Sequence, residues 1–278
     1  MSTITVRCAA FRRLHESGCF IIPNPWDIGS ARALAHLGFK ALATTSSGFA
    51  WSIGRHDNAI SLGQALSHMR DIAGAVDIPV NADFEGGFAI EPEDVAANVT
   101  AAAATGVAGL SIEDSTGDPA KPLFDFELSV ARIRAARRAL DFAGSGVLLT
   151  GRSEGFIAGR PDLAETIRRL TAYAEAGAEC LYAPGLRNTS DMAAIVQALA
   201  PHPVNILVSA NYSTVAEVAA LGARRISVGG ALARAAWAGF LTAANELATL
   251  GTFTSLDGAA KSLDIEQMLQ PPSSEAAR

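Results

Sequence analysis

Residues 79–114, PVNADFEGGFAIEPEDVAANVTAAAATGVAGLSIED, contain one complete strand–helix–strand repeat. The apolar run PVNADF stops at Gly86-Gly87. EPEDVAANVTAAAATG then supplies helix formers with apolar residues at helical spacing, and Gly106 stands where that helix should end. A few residues on, AGLSIED starts a second short apolar run. A helix that must reverse direction and feed a parallel strand needs such a terminator at such a distance.

The same grammar recurs on both sides of this unit, at intervals of about 30 residues. Strand candidates fall at 20–25, 41–47, 79–84, 108–114, 147–153, 180–184, 205–210 and 225–230, all reading as short runs without charges in their apolar cores, and Gly38, Gly177 and Gly222 repeat the role of Gly106. Eight such units predict an α/β protein, a (β/α)8 TIM barrel with an additional C-terminal helical segment. An open doubly wound sheet uses the same units, but the first strand is followed by NPWDIGS and not by the GxGxxG of a dinucleotide site. The expected organisation is a single domain over 1–278, with a barrel core at about 18–250 and a helical extension at about 251–270 that packs on its own barrel or on another subunit.

Composition limits the partners. Hydrophobic residues make up 49% and charged residues 18% of the 278, enough apolar material for a large core and unlike a disordered chain. With 28 acidic against 22 basic residues the net charge is -6, which disfavours nucleic acid and anionic membranes as partners. Cys8, Cys19 and Cys180 form no CxxC pair, so no disulfide framework is expected and a reducing cytoplasm is the simplest location. The N-terminus lacks a secretory pattern, and no apolar run approaches the roughly 18 to 20 residues that span a bilayer. The five histidines make no HExxH unit.

In a barrel the C-terminal ends of all strands meet on one rim. Ser46, Ser47 and Gly48 follow the second strand candidate; Asn81, Asp83 and Glu85 end the third; Glu113 and Asp114 end the fourth; Arg152 and Glu154 end the fifth. Asn81 and Asp83, two residues apart on one strand, share a face. With Glu113 and Asp57 they offer hard oxygens suited to Mg2+, directly or through water, or else they are solvated rim acids and helix caps. Arg152 is the leading anion-binding group, with a rim salt bridge to Glu154 as its structural alternative. Ser46-Ser47-Gly48 can place backbone N–H groups around a carboxylate, Asn211 can add a neutral hydrogen bond, and Trp26 and Phe49 can form an apolar wall.

Taken in order, PNPWD, TTSSGFA, GRHD, VNADFEGGF, GLSIEDS, TGRSE and AGAE resemble the phosphoenolpyruvate mutase and isocitrate lyase superfamily over about residues 18–250. The resemblance implies a barrel that binds Mg2+, with Mn2+ as an alternative, and a small 2-oxo carboxylate, and that breaks or forms C–C or P–C bonds through an enolate-like unit. It implies catalytic roles for Asp57, Glu113 and Arg152, substrate contacts from Ser47, Gly48 and Arg152, and metal ligation by Asp83 and Glu113 with Asn81 at the remaining ligand position; Trp26, Ser46 and Asn211 are substrate-binding candidates from their places at the rim. A homotetramer is the implied assembly.

Two departures narrow the activity. Asn81 stands where the superfamily has the first acid of a DxD motif, and TGDPAKPLFDFEL replaces the KKCGH loop of the isocitrate and methylisocitrate lyases. Cleavage of an isocitrate-like tricarboxylate is therefore disfavoured. The expected function is a Mg2+-dependent C–C bond lyase or decarboxylase acting on a small 2-oxo carboxylate. The alternatives are a phosphonopyruvate-type P–C hydrolase or mutase, and a non-catalytic small-molecule or subunit-binding barrel.

Overall fold

A computed structural model describes residues 3–270. Helix α1 (Thr3–Glu16) precedes β1 (Phe20–Ile22), α2 (Ile28–His36), β2 (Leu42–Ala43), α3 (Ser46–Ser52), α4 (Leu62–Ala75), β3 (Val80–Asp83), α5 (Pro92–Ala103), β4 (Gly109–Glu113) and α6 (Phe126–Phe142). The second half continues with β5 (Leu148–Arg152), α7 (Leu163–Glu175), β6 (Cys180–Tyr182), α8 (Thr189–Ala198), β7 (Val204–Leu207), α9 (Val215–Ala220), β8 (Arg225–Ser227), α10 (Ala231–Thr249) and α11 (Ser262–Leu269). All eight expected strands are present and shorter than their apolar runs, β2 with two residues of the seven expected and β7 starting one residue early at Val204.

The strands pair in parallel in the order β1-β8-β7-β6-β5-β4-β3-β2. Between β1 and β2 the Ala43 N–H donates to the Pro23 carbonyl at 3.0 Å, which brings the two ends of the sheet together. The result is the (β/α)8 barrel the eight repeats predict, and α11 lies against α2 of the same chain as the extra C-terminal helix. Among the described residues no helix is long and apolar enough to cross a membrane.

Period-two alternation divides the barrel chemically. Leu110, Ile112, Leu149, Leu181, Ile206 and Ile226 are fully or almost fully buried in the apolar core cluster they share with helix residues such as Val95, Ile133 and Leu170. The alternate positions, Asn81, Ser111, Asn205, Arg225 and Ser227, line a central cavity. A barrel lumen is more commonly filled with branched aliphatics. Here the lumen is polar and the hydrophobic core lies in the outer layer.

Two features differ from the sequence expectation. The charge-free strand cores do not hold, because Arg225 opens β8 and is 3% exposed. The N-terminal lead-in is a helix that closes the bottom of the barrel: Phe11 of α1 is fully buried and stacks edge-on to His15 and Phe20 at the N-terminal ends of the strands. Gly109 is required by that closure. A Cβ there would stand 2.5 Å from Phe11 Cε1 and 2.7 Å from Asn81 Oδ1. Gly109→Ala is therefore expected to cost about 1–3 kcal/mol by overpacking, read as a lower midpoint in chemical denaturation; an unchanged midpoint would show that α1 yields freely.

Candidate active site

The cavity opens at the C-terminal ends of the strands and runs down the lumen, with a volume of about 170 Å3. Arg152, the last residue of β5, is set at its mouth beside Glu113, its register partner at the end of β4. Arg152 Nη1 lies 3.1 Å from Asp83 Oδ1 and 3.0 Å from Glu113 Oε2, and Nε donates to Glu154 Oε1. The guanidinium carbon sits 5.2 Å from the Tyr182 ring centroid. Nη2 has no partner among the described residues. The rim salt bridge to Glu154 exists, and so does the convergence of Arg152 with Asp83 and Glu113, although of these two acids Asp83 lines this cavity and Glu113 lines a neighbouring one with Glu85.

Charge is the dominant feature of this mouth. Asp57, Asp83, Glu85, Glu113 and Glu154 cluster around one guanidinium. Burial pushes Glu113 well above the usual carboxylate range, with Glu154, Asp83 and Glu85 adding repulsion against the pull of Arg152. Glu154 rises to about 7 and Glu85 to about 8, in both cases chiefly through burial. Asp57 is raised by burial and then by Asp83. Glu85 and its neighbour Phe88 hold left-handed backbone angles of φ 46° and 56°, and Asn58 beside Asp57 has φ 61°. Strain of this kind gathers at sites where a side chain is held for function.

The other residues expected at the site divide. Ser46 and Ser47 line the cavity, as do Asp57, Asn81 and Asp83. The triplet after β2 is not an open loop, however; it is the first turn of α3, capped by Thr45. The Ser46 N–H and hydroxyl both donate to Asp83 Oδ2, at 3.1 and 3.0 Å, and the Gly48 N–H is used by Thr45 Oγ1 at 3.3 Å. Gly48 is a packing glycine: a Cβ would meet Thr45, Trp26 and Ala233 within 3.2 Å. The expected carboxylate cradle thus reduces to Ser47. Its hydroxyl is 3.1 Å from Thr45 Oγ1.

Three further corrections follow from side-chain direction. Trp26 turns away from the cavity into a surface groove with Ala233, Trp237 and Phe240, and Phe49 stacks on His68 with centroids 3.9 Å apart, so neither forms a wall of the site. Asn211 is exposed on the loop after β7 and does not line the cavity. Asp114 points into the helical layer, accepting from the Glu154 N–H, Ser153, Arg169 and the Tyr173 hydroxyl at 2.7–3.2 Å. Its task is to fix the backbone that presents Glu154. The TGDPAKPLFDFEL loop is tied by a Ser115–Leu123 bridge, and Lys121 pairs with Asp125 at 3.0 Å outside the cavity.

Several lining residues were passed over in the sequence: Asn24, Thr44, Ser111, Tyr182, Asn205, Arg225 and Ser227. Asn24 of the PNPWD segment accepts from the Val228 and Gly229 N–H groups and donates to the Thr44 carbonyl, joining β1 to the turns after β8 and β2. The signal available for the strand residues was their alternation with Leu110, Leu181, Ile206 and Ile226.

The oxygen donors at the mouth bear on a divalent cation. Glu85 Oε1 and Asn81 Oδ1 are buried without a hydrogen-bond partner, and the acids outnumber the local cation. Among the described residues no three His, Cys, Asp or Glu side chains form a ready chelate. Hard oxygens without a cage fit an ion such as Mg2+ that retains several waters.

The chain matches the phosphoenolpyruvate phosphomutase family over residues 11–248 and belongs to it, within a superfamily of lyases and mutases. It is similar to a lyase/mutase candidate from Burkholderia cenocepacia J2315 at 45% identity and TM-score 0.94, covering 98% of this chain and 99% of that one. It also resembles an oxaloacetate acetylhydrolase solved with its product oxalate, at 27% identity and TM-score 0.84 over 97% and 95% of the two chains. A 2,3-dimethylmalate lyase gives 26% identity and TM-score 0.83 over 96% and 94%.

The raised Glu154 sets a pH signature. Its folded value of about 7 exceeds the ordinary 4.5, so between those values the folded state holds a proton the unfolded chain has lost, and stability falls as pH rises through that window. Denaturation midpoints should drop between pH 5 and pH 8, and Glu154→Gln should flatten the drop. Equal slopes in the two proteins would rule out Glu154 as its source.

Proposed function

We propose that the protein is a Mg2+-dependent C–C bond lyase or decarboxylase acting on a small 2-oxo carboxylate through an enolate-like intermediate. The observation that carries this reading is the contact of Arg152 with both Asp83 and Glu113 at the mouth of a cavity of about 170 Å3 that Arg152, Asp83 and Asp57 line. Oxaloacetate acetylhydrolase and 2,3-dimethylmalate lyase, which share the fold over nearly the whole chain, act by name on oxaloacetate and on a substituted malate.

Arg152 carries the anion-stabilising role. When a bond on the carbon next to the 2-oxo carbon breaks, its electron pair forms the enolate double bond and the carbonyl pair moves onto the oxo oxygen, where the free Nη2 of Arg152 is the donor placed to meet that charge. Such a contact in a dry pocket is worth a few kcal/mol in the transition state. Glu113, whose proton affinity burial raises, is the group placed to return a proton to the carbon left behind. Ser47 orients the carboxylate, and Tyr182, whose hydroxyl is held protonated by burial with a value of about 12, closes the wall beneath Arg152. Asp83, with Asp57, would hold the ion mostly through water, and the bound ion would supply Lewis-acid polarisation of the substrate oxygens.

A panel of oxaloacetate, malate analogues and phosphonopyruvate, followed by product mass with and without Mg2+ or Mn2+, tests this. Consumption of a 2-oxo acid only with metal is expected, and Asp83→Ala should lower that turnover by about 100-fold or more while the protein stays folded. Undiminished turnover in metal-free Asp83→Ala would reject the assignment. Turnover confined to phosphonopyruvate would move it to P–C chemistry, and binding without loss of any ligand would make the barrel a binder.

A further inference from the structure

The tract RRISVGG places two arginines at the start of β8, and alternation sends them to opposite sides. Arg224 donates to the Gly18 carbonyl at 3.2 Å. Arg225 turns into the lumen, is 3% exposed, and lines the same cavity as Asp83 and Arg152.

The environment of Arg225 lacks a counter-ion. Its Nε donates to Asn205 Oδ1 at 2.9 Å, its Nη2 to Thr150 Oγ1 at 3.3 Å, and its Nη1 meets His15 Nε2 at 3.3 Å. His15 Nδ1 lies 2.8 Å from the Phe11 carbonyl, which can only accept, so Nδ1 bears the proton and Nε2 is the acceptor toward Arg225. Burial and the positive charge of Arg225 bring His15 down to about 3, so the imidazole is neutral. All three partners are therefore neutral, and Arg225 takes part in no ion pair among the described residues.

An isolated buried charge is costly because it gives up its hydration without a counter-ion. Other buried arginines show how this chain normally meets that cost. Arg169 pairs with Asp114 and Glu165. Arg132 is wrapped by the Gly86, Ala89 and Ile90 carbonyls and the Phe124 ring, and it lines none of the cavities described. Arg169 borders a different cavity with its charge paired, so of these three Arg225 alone opens into a cavity without a counter-ion. A guanidinium has five N–H donors, and one on each terminal nitrogen of Arg225 is left without a partner among the described residues. Two such donors suit the two oxygens of a carboxylate.

We propose that Arg225 forms a second anion subsite at the floor of the barrel and binds a carboxylate-sized group on the far end of the ligand. Its partner Thr150 sits two residues before Arg152 on β5, which is about 7 Å of strand rise. A short ligand with anionic groups at both ends spans that depth, so small dicarboxylates are preferred over monocarboxylates of equal length. The inference rests on the small oxo-acid reading given above.

The test compares malate with 2-hydroxybutyrate, which exchanges the distal carboxylate for a methyl group, by calorimetric titration of the full chain with Mg2+ present. Malate is expected to bind about 10- to 100-fold more tightly, the range for a charged hydrogen-bonded contact. Arg225→Met should bring the two ligands within about threefold by weakening malate alone. Arg225→Gln, which removes the charge and keeps an amide to meet Asn205 and Thr150, serves where the methionine variant does not fold. Equal affinities in the unmodified protein, or a malate preference that survives in either folded variant, would overturn the subsite while leaving the oxo-acid reading standing. Failure of both ligands to bind would overturn the two together.

Discussion

The contact of Arg152 with Asp83, Glu113 and Glu154 is the constraint around which the mouth of the barrel is organised. One guanidinium joins residues from the ends of β3, β4 and β5 and the loop after β5. It does so at a charge deficit, since Asp57 and Glu85 lie in the same cluster, and protons take up part of the excess. A site built this way gains from an added cation and retains an arginine nitrogen for an added anion.

The same logic extends down the lumen. Most α/β barrels fill this space with aliphatic side chains, whereas this one holds amides, hydroxyls and an arginine and puts its apolar packing between strands and helices. The acids occupy the β3 to β5 side, and Asn24, Asn205, Arg225 and Ser227 the β7, β8 and β1 side. The cavity is accordingly polarised across its width, with α1 sealing the floor through Phe11 and His15.

Much of this was legible in the sequence because it is periodic. The eight repeats, the glycines that end the helices and the polar residues at the ends of strands three to five gave the barrel and the Asp83–Glu113–Arg152 cluster. Features set by turn geometry were not legible. Thr45 caps a helix at the serine pair, which redirects Ser46 to Asp83 and buries Gly48, and Trp26 leaves the lumen once Asp27 caps α2. Asn211 illustrates a further limit: a residue just beyond a strand end can face solvent as readily as the rim. Arg225 was hidden for a different reason, since an apolar reading of RISVGG overlooks that inward positions in this barrel are polar.

Anomalous diffraction from crystals grown with Mn2+ and oxalate probes the cation-supporting acid cluster most directly. A metal peak in direct or single-water contact with Asp83, inside the cavity that Arg152 borders, is the predicted result. Saturating Mn2+ that leaves the cavity without a peak, or that appears only on the outer surface, would contradict it.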